Sequence, residues 1–211
     1  MNQSRKPRLE IAQPDLFMSP AEIESLPDGP MPDGFAYGAN LVPEALALDL
    51  MARFGTLPFR NFDFHGFQGN RRIVSFGWRY DYSGRGQLRE SGPIPDFLDP
   101  LKTIAADFAG LDADAFQQAL ITEYAPGAGI GWHRDKPMFE DVVAFSFANP
   151  CRLRFRRKNE GWDRAALTVV PRSAYLLRGP AREQWEHSIP AVDALRYSVT
   201  LRTFKPGQKP A

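Results

Sequence analysis

The sequence predicts a mainly β protein, an antiparallel sandwich or barrel with helices packed against it. Two observations carry that expectation. After Gly110, short β-type runs alternate with turn signals at 119–124 (ALITEY), 130–133, 142–148 (VVAFSFA), 151–156 (CRLRFR), 166–170, 173–178 and 195–204 (LRYSVTLRTF). Their number and tight spacing fit antiparallel strands and leave no room for βαβ units. Apolar residues at helical spacing, by contrast, are confined to two stretches of the first half.

The first of these is 43–54 (PEALALDLMARF), with Pro43 suited to the opening turn and Gly55 to the stop. The second is 96–109, where Asp96 is placed to cap and Phe97, Leu98, Leu101, Ile104, Ala105 and Phe108 form the buried stripe. A strand-rich patch lies between them at roughly 72–82 (RIVSFGWRYDY). Segment 19–40 is crowded with Pro, Gly and Asp and reads as loop. Residues 1–18 read as a loose N-terminal segment, 19–204 as one domain, and 205–211 (KPGQKPA) as a disordered tail.

Composition narrows the function classes. The 211 residues are 43% hydrophobic and 24% charged, which excludes wholesale disorder. A single cysteine, Cys151, excludes an internal disulfide framework and any multi-cysteine metal site. The N-terminus has no apolar core of a signal peptide, and no run approaches the ~18 apolar residues of a membrane span. A soluble cytoplasmic protein with no membrane partner is expected, and a monomer. The net charge of +1 hides an asymmetry: residues 151–211 carry 13 basic and 5 acidic groups, whereas the rest is acidic. A basic C-terminal third fits an anionic partner as well as a solvated face.

Only three histidines are present, His65, His133 and His187. In an extended strand His133 and Asp135 point to one face, so His-x-Asp presents an imidazole and a carboxylate together. His187 is the natural third ligand. Two histidines and one carboxylate, with open positions opposite, describe the facial triad of non-haem Fe(II) oxygenases. Taken in isolation, His-x-Asp reads first as a surface loop with paired polar residues, and His187 alone as a hydrogen-bonded structural histidine.

The last strand tips the balance. Its alternation puts Arg196, Ser198, Thr200 and Arg202 on one face and Tyr197, Val199 and Leu201 on the other. Two arginines and two hydroxyls make poor core but a good carboxylate site, since the guanidinium fork binds carboxylates bidentately. An outward polar face on an edge strand is the alternative.

Taken in order, His133-x-Asp135, His187 and RYSVTLR resemble the AlkB-like 2-oxoglutarate/Fe(II) dioxygenases, with support from ITEYAPGAGIGWHRD and RSAYLLRGPAREQWEHSIP. The resemblance covers about residues 60–204. It implies a double-stranded β-helix (jelly roll) with flanking N-terminal helices and a nucleotide-recognition lid at about 62–90. It implies Fe(II) held by His133, Asp135 and His187, with 2-oxoglutarate and O₂ as cosubstrates. Arg196 would pair with the far carboxylate of 2-oxoglutarate, and Arg202 would lie nearer the metal end. Tyr124 matches a cosubstrate hydrogen-bonding position. Thr122 and Ser198 stand where many members have Asn, and Thr200 shares their strand face. The implied activity is oxidative dealkylation of N-alkylated bases in DNA or RNA, with DNA ahead of RNA. An N-methyl group, once hydroxylated, leaves as formaldehyde.

Phe76, Trp78, Tyr80 and Tyr82 alternate in the lid, an aromatic row suited to stacking on an extruded base or to core packing; Trp78 is the favoured stacking partner. Arg71, Arg72, Arg79 and Arg85 around it are candidates for phosphates. The cluster Arg152, Arg154, Arg156, Arg157 and Lys158 either protects a strand edge or tracks a phosphate backbone, with Arg156 and Arg157 the candidate contacts. Pro137 stands where several repair members carry an acidic base-selecting residue, so base preference does not carry over. That departure, with the acidic first 150 residues, leaves a protein side chain or a small molecule as the alternative substrate. A non-catalytic jelly-roll binding module is the third reading. His65 is assigned to a lid turn.

Overall fold

The computed structural model describes residues 27–64, 67–80 and 88–208. Among the described residues, twelve strands form two antiparallel sheets. The strands are β1 (Phe35–Gly38), β2 (Arg60–Phe64), β3 (Phe67–Tyr80), β4 (Leu88–Glu90), β5 (Gln118–Tyr124), β6 (Ile130–His133), β7 (Phe139–Phe147), β8 (Cys151–Lys158), β9 (Trp162–Val169), β10 (Ala174–Leu177), β11 (Glu186–Ile189) and β12 (Arg196–Phe204). The large sheet runs β1-β10-β7-β12-β5-β3-β2, with β4 paired to β3, and the small sheet runs β6-β11-β8-β9. This is the jelly roll.

Helices α1 (Glu44–Phe54) and α2 (Asp99–Ala109) cover one face of the large sheet. Their apolar stripes, including the buried Leu50, Phe54, Leu101 and Ala105, meet Ile121, Phe145, Phe147, Val199 and Leu201 from the sheet. Each fully buried Leu or Phe contributes about 1.5–3 kcal/mol, so this layer fixes the sheet against its helices. The opposite sheet face meets the small sheet through a second core, where Val142, Ala144, Tyr124 and Tyr175 pack on Leu153, Phe155, Leu167 and Ile189. Arg178 ties the layers: it ion-pairs with Asp141 of β7 and donates to the Ala109 carbonyl at the end of α2. A one-turn helix, α3 (Gly179–Glu183), follows β10.

The structure corrects several local expectations. Phe35–Gly38, inside the expected loop 19–40, is a strand, because Phe35 to Gly38 pair with Leu177 to Ala174 at the sheet edge. Asp96 caps nothing through its side chain; it opens a 3-10 turn over 96–98, and α2 starts at Asp99. Residues 205–208, expected as part of a loose tail, form a turn held by the Lys205 amide on the Met138 carbonyl and by a Lys205–Glu183 ion pair. Residues 1–18, His65 and Tyr82 lie outside the described residues.

Strand β3 also departs from simple alternation. Gly77 has φ +73°, and a Cβ there would lie 2.1 Å from the Gln117 carbonyl oxygen. Glycine alone fits. Before the kink, Phe76 packs with Val74 against the helix-side core. Beyond it, β3 leaves the large sheet and pairs with β4, Trp78 opposite Glu90.

Candidate metal and cosubstrate site

Register places the site on the inner face of the large sheet. Arg196 lies opposite Tyr124, Ser198 opposite Thr122, Thr200 opposite Leu120 and Arg202 opposite Gln118. On the other side of β12, Ser198 meets Ser146. The strand face of arginines and hydroxyls therefore looks inward, toward the small sheet, and Tyr197, Val199 and Leu201 point to the helix-side core. It is not an outward edge.

Across the gap, His133 and His187 are directly paired between β6 and β11, and their ring centroids lie 4.2 Å apart. His187 Nε2 is 3.8 Å from Asp135 Oδ2, beyond hydrogen-bond reach. The three residues singled out as metal ligands thus converge, although among the described residues no three such side chains are closed tightly enough to hold an ion as they stand.

Protonation suits a metal. Burial, with His133 and Arg202 beside it, holds His187 down at about 3 against the pull of Asp135. Burial likewise lowers His133, against the opposing pull of Asp135. Burial would raise the Asp135 carboxyl, but Arg202, His187 and His133 outweigh it and hold it at about 2. At neutral pH the set is two neutral imidazoles and one carboxylate, the state that binds a divalent cation. The His133 Nδ1 lies 2.9 Å from the Gly131 carbonyl, which fixes Nδ1 as the protonated nitrogen and leaves Nε2 free to ligate. His187 Nδ1 is buried without a partner.

Arg196 is the second residue here with buried, unpartnered polar atoms. It is fully buried. Its Nε donates to Ser146 Oγ at 3.2 Å, yet Nη1 and Nη2 have no partner. Its Cζ lies 5.0 Å from the Tyr124 ring, and Tyr124, Tyr175 and Cys151 surround it electrostatically. A buried guanidinium with two idle nitrogens is costly unless an anion arrives, and a carboxylate has the right fork. Arg202 sits beside Asp135. It holds Asp135 Oδ1 and donates to Gln118 Oε1 at 2.8 Å.

The remaining candidates separate. Arg71 shares the site face opposite Tyr124 and reaches toward the Gly129 carbonyl, and its charge bears on His133. Arg72 faces the other way, in an ion pair with Glu123. Trp78 touches Phe204 edge-on at 6.4 Å, Phe204 packs on Phe139, and Arg202 lies over Phe139. That chain links Trp78 to the Asp135 end of the site. Phe76 is core packing. The side chain of Tyr80, like those of Arg79 and Arg85, lies outside the described residues. Arg156 pairs with Glu186, and Arg157 with Asp163 and Gln184. Ser146, Gln118 and Tyr175 were not singled out. A serine among the apolar residues of VVAFSFA was the available signal for the first.

Residues 41–202 match the 2OG-Fe(II) oxygenase superfamily. The chain belongs to that superfamily. Its members use Fe(II), 2-oxoglutarate and O₂, and the likeness is to AlkB-like members. The chain is 29% identical over 161 residues to an alkylated DNA repair protein ALKBH8 homolog of Arabidopsis thaliana, covering 64% of this chain and 46% of that one. It is 29% identical over 101 residues to the uncharacterized protein L905 of Acanthamoeba polyphaga mimivirus, covering 46% and 47%. The chain spans about half the length of these curated relatives. The solved structure of OsALKBH1 superposes with TM-score 0.62 at 13% identity, over 84% of this chain and all of that one. A prolyl hydroxylase of Trichoplax adhaerens, in complex with a hypoxia inducible factor peptide fragment, gives 0.58 at 15%, over 83% and 86%. These two likenesses concern the fold. No helix among the described residues is long and apolar enough to cross a membrane.

Proposed function

We propose that this oxygenase removes alkyl groups from the bases of nucleic acid, with His133, Asp135 and His187 as the Fe(II) ligands and Arg196 as the anchor of 2-oxoglutarate. The observation that carries the cosubstrate assignment is the buried fork of Arg196, whose Nη1 and Nη2 are idle. The nucleic-acid assignment rests on the likeness to alkylation-repair relatives and on the Trp78 path to the site. Bound iron with 2-oxoglutarate and O₂ would supply the oxidation of a substrate C–H, with succinate and CO₂ as coproducts.

The chain's own residues prepare that chemistry. Arg196, with Tyr124 and Ser146 beside it, orients the far carboxylate. Leu153, Phe155, Val142, Ala144 and Tyr175 pack with Tyr124 in the core between the sheets, and that apolar setting would keep water from the site. The low pKa values of the ligand set keep protons off it. Trp78, at the outer end, would stack on an extruded base, and Arg71 would face its phosphate or the substrate rim. A hydroxylated N-methyl group then breaks its N–C bond, giving N–H and formaldehyde.

The test is anaerobic titration with Fe(II) and 2-oxoglutarate, followed by formaldehyde release from N-methylated DNA and RNA oligonucleotides, with methyl-bearing peptides in parallel. A visible charge-transfer band that His187→Ala abolishes, and formaldehyde from oligonucleotides, are expected. Succinate formation coupled to peptides alone would overturn the substrate. No band from folded protein would overturn the site.

A further inference from the structure

The four-stranded sheet, two of whose strands carry His133 and His187, also presents an outer face, and that face is unusual. Trp132 and Glu186 are chain neighbours of His133 and His187 and point the opposite way. On this side Arg156 Nε bonds Glu186 at 2.6 Å. Its Cζ lies 4.5 Å from the Trp132 ring and 4.9 Å from the Trp162 ring. Arg156 is thus a fixed bridge between two indoles on opposite edges of the small sheet. Arg154 lies over Trp132 as well, at 5.1 Å, and donates to Ser188. Trp162 remains 46% exposed.

Charge on this face exceeds what its carboxylates neutralise. Glu186 answers Arg156, and Asp28 answers Arg152. Arg154, Lys158 and Arg164 have no carboxylate partner among the described residues. Arg164 is directly opposite Arg156 in the β8–β9 register. Like charges in that position cost stability, as they face one another across about 5 Å. An edge-protecting charge pattern would not need them centred between two tryptophans.

We infer that the outer face of the small sheet, built by Trp132, Trp162, Arg154, Arg164 and Lys158 around the Arg156 bridge, is a second contact surface for a single nucleic-acid strand. Indoles stack on bases of any sequence, and unneutralised cations meet the phosphates. Strand β6 is the edge of the sheet and carries His133 inward and Trp132 outward. A strand whose target base enters at the metal can cross that edge onto the platform. The inference rests on the nucleic-acid reading above and deepens it: the preferred substrate is a single strand longer than the site alone would cover.

The test uses binding, not dealkylation. A labelled, unmodified oligothymidylate of roughly 12 nucleotides is titrated against the full chain by anisotropy, beside one of roughly 4. Trp162→Ala is expected to weaken the longer probe about tenfold and leave the shorter one unchanged. Arg164→Gln is expected to lower the salt slope for the longer probe by about 0.7. Succinate formed without substrate reports that each variant keeps its fold and site. Equal binding of the longer probe by wild type and both variants, or none by wild type, would overturn the platform. So would equal displacement by polyglutamate, which marks a surface for acidic protein. Binding that depends on Trp162 and Arg164, without formaldehyde from any methylated oligonucleotide, would keep the platform and remove the dealkylase reading instead.

Discussion

Arg202 holds one oxygen of Asp135: its Nε donates to Oδ1 at 2.9 Å, and its Nη2 lies 2.8 Å from the same atom. The other oxygen, Oδ2, is left facing His187. Arg202 is itself fixed by Gln118 and by the Phe139 ring beneath it. The carboxylate is therefore aimed before any metal arrives. Loss of such an orienting partner typically costs 10–100-fold in metal affinity. Arg202→Met is expected to weaken Fe(II) binding by about that factor, measured anaerobically against a competing chelator. Arg202→Lys, which keeps a charge without the fork, is expected to recover only part of it. Unchanged affinity in Arg202→Met would show that Asp135 needs no positioning.

Arg196 makes the opposite demand. Without cosubstrate its buried Nη1 and Nη2 are a liability, and removing a buried, incompletely paired charge often stabilises a fold by about 1–3 kcal/mol. Cosubstrate-free Arg196→Met is expected to melt a few degrees above wild type while its affinity for 2-oxoglutarate falls about 100-fold. Thermal melts with and without 2-oxoglutarate read both effects. A variant that melts lower, yet keeps the cosubstrate-induced shift, would remove Arg196 from the anchor role.

What could be read beforehand follows from period and spacing. The face of β12 was legible because residues two apart share a side, and its four polar members alternate with Tyr197, Val199 and Leu201. The two helices were legible from their apolar stripes. Strand β1 was not, since Phe35–Gly38 is short, flanked by turn residues and fixed by pairing with β10, a tertiary contact. The aromatic row of the lid failed at Gly77, where one left-handed residue resets the alternation and sends Phe76 and Trp78 to different surroundings. The role of Arg202 depended on where Asp135 would fold, 67 residues away. The candidate residues could be named from the sequence, and the pairing of Arg202 with Asp135 could not.

Two tyrosines give a pH signature. Burial pushes the Tyr175 phenol up despite the opposing charge of Arg196. Burial also raises Tyr197, helped by Glu123, to which its hydroxyl donates at 3.1 Å. A group whose folded pKa is raised stabilises the fold fully below its unfolded value, about 10 for tyrosine. That contribution is lost as pH rises through the folded value. Stability is therefore expected to fall above pH ~10, with part of the tyrosinate absorbance appearing only on unfolding. Tyr175→Phe should remove part of that late absorbance; a wild-type titration complete before unfolding would contradict the burial of both phenols.

The kink at Gly77 sets the surroundings of Trp78. Its amide donates to the Gly92 carbonyl and its carbonyl accepts from Ser91, so the residue ties β4 to β3. Alanine there meets two obstacles, a φ of +73° and the Gln117 carbonyl oxygen 2.1 Å from the new Cβ. The backbone penalty alone is about 1 kcal/mol, and relieving the clash brings the expected cost of Gly77→Ala to about 2–4 kcal/mol. Gly92→Ala is the control, since its φ is +78° but nothing lies within 4 Å; it should cost about 1 kcal/mol. Urea unfolding separates the two. If the strand shifts to relieve the clash, Trp78 moves off Phe204, and affinity for methylated oligonucleotide falls while 2-oxoglutarate binding stays. Equal cost for the two alanines would show that β3 yields freely at Gly77, and that the kink does not set the position of Trp78.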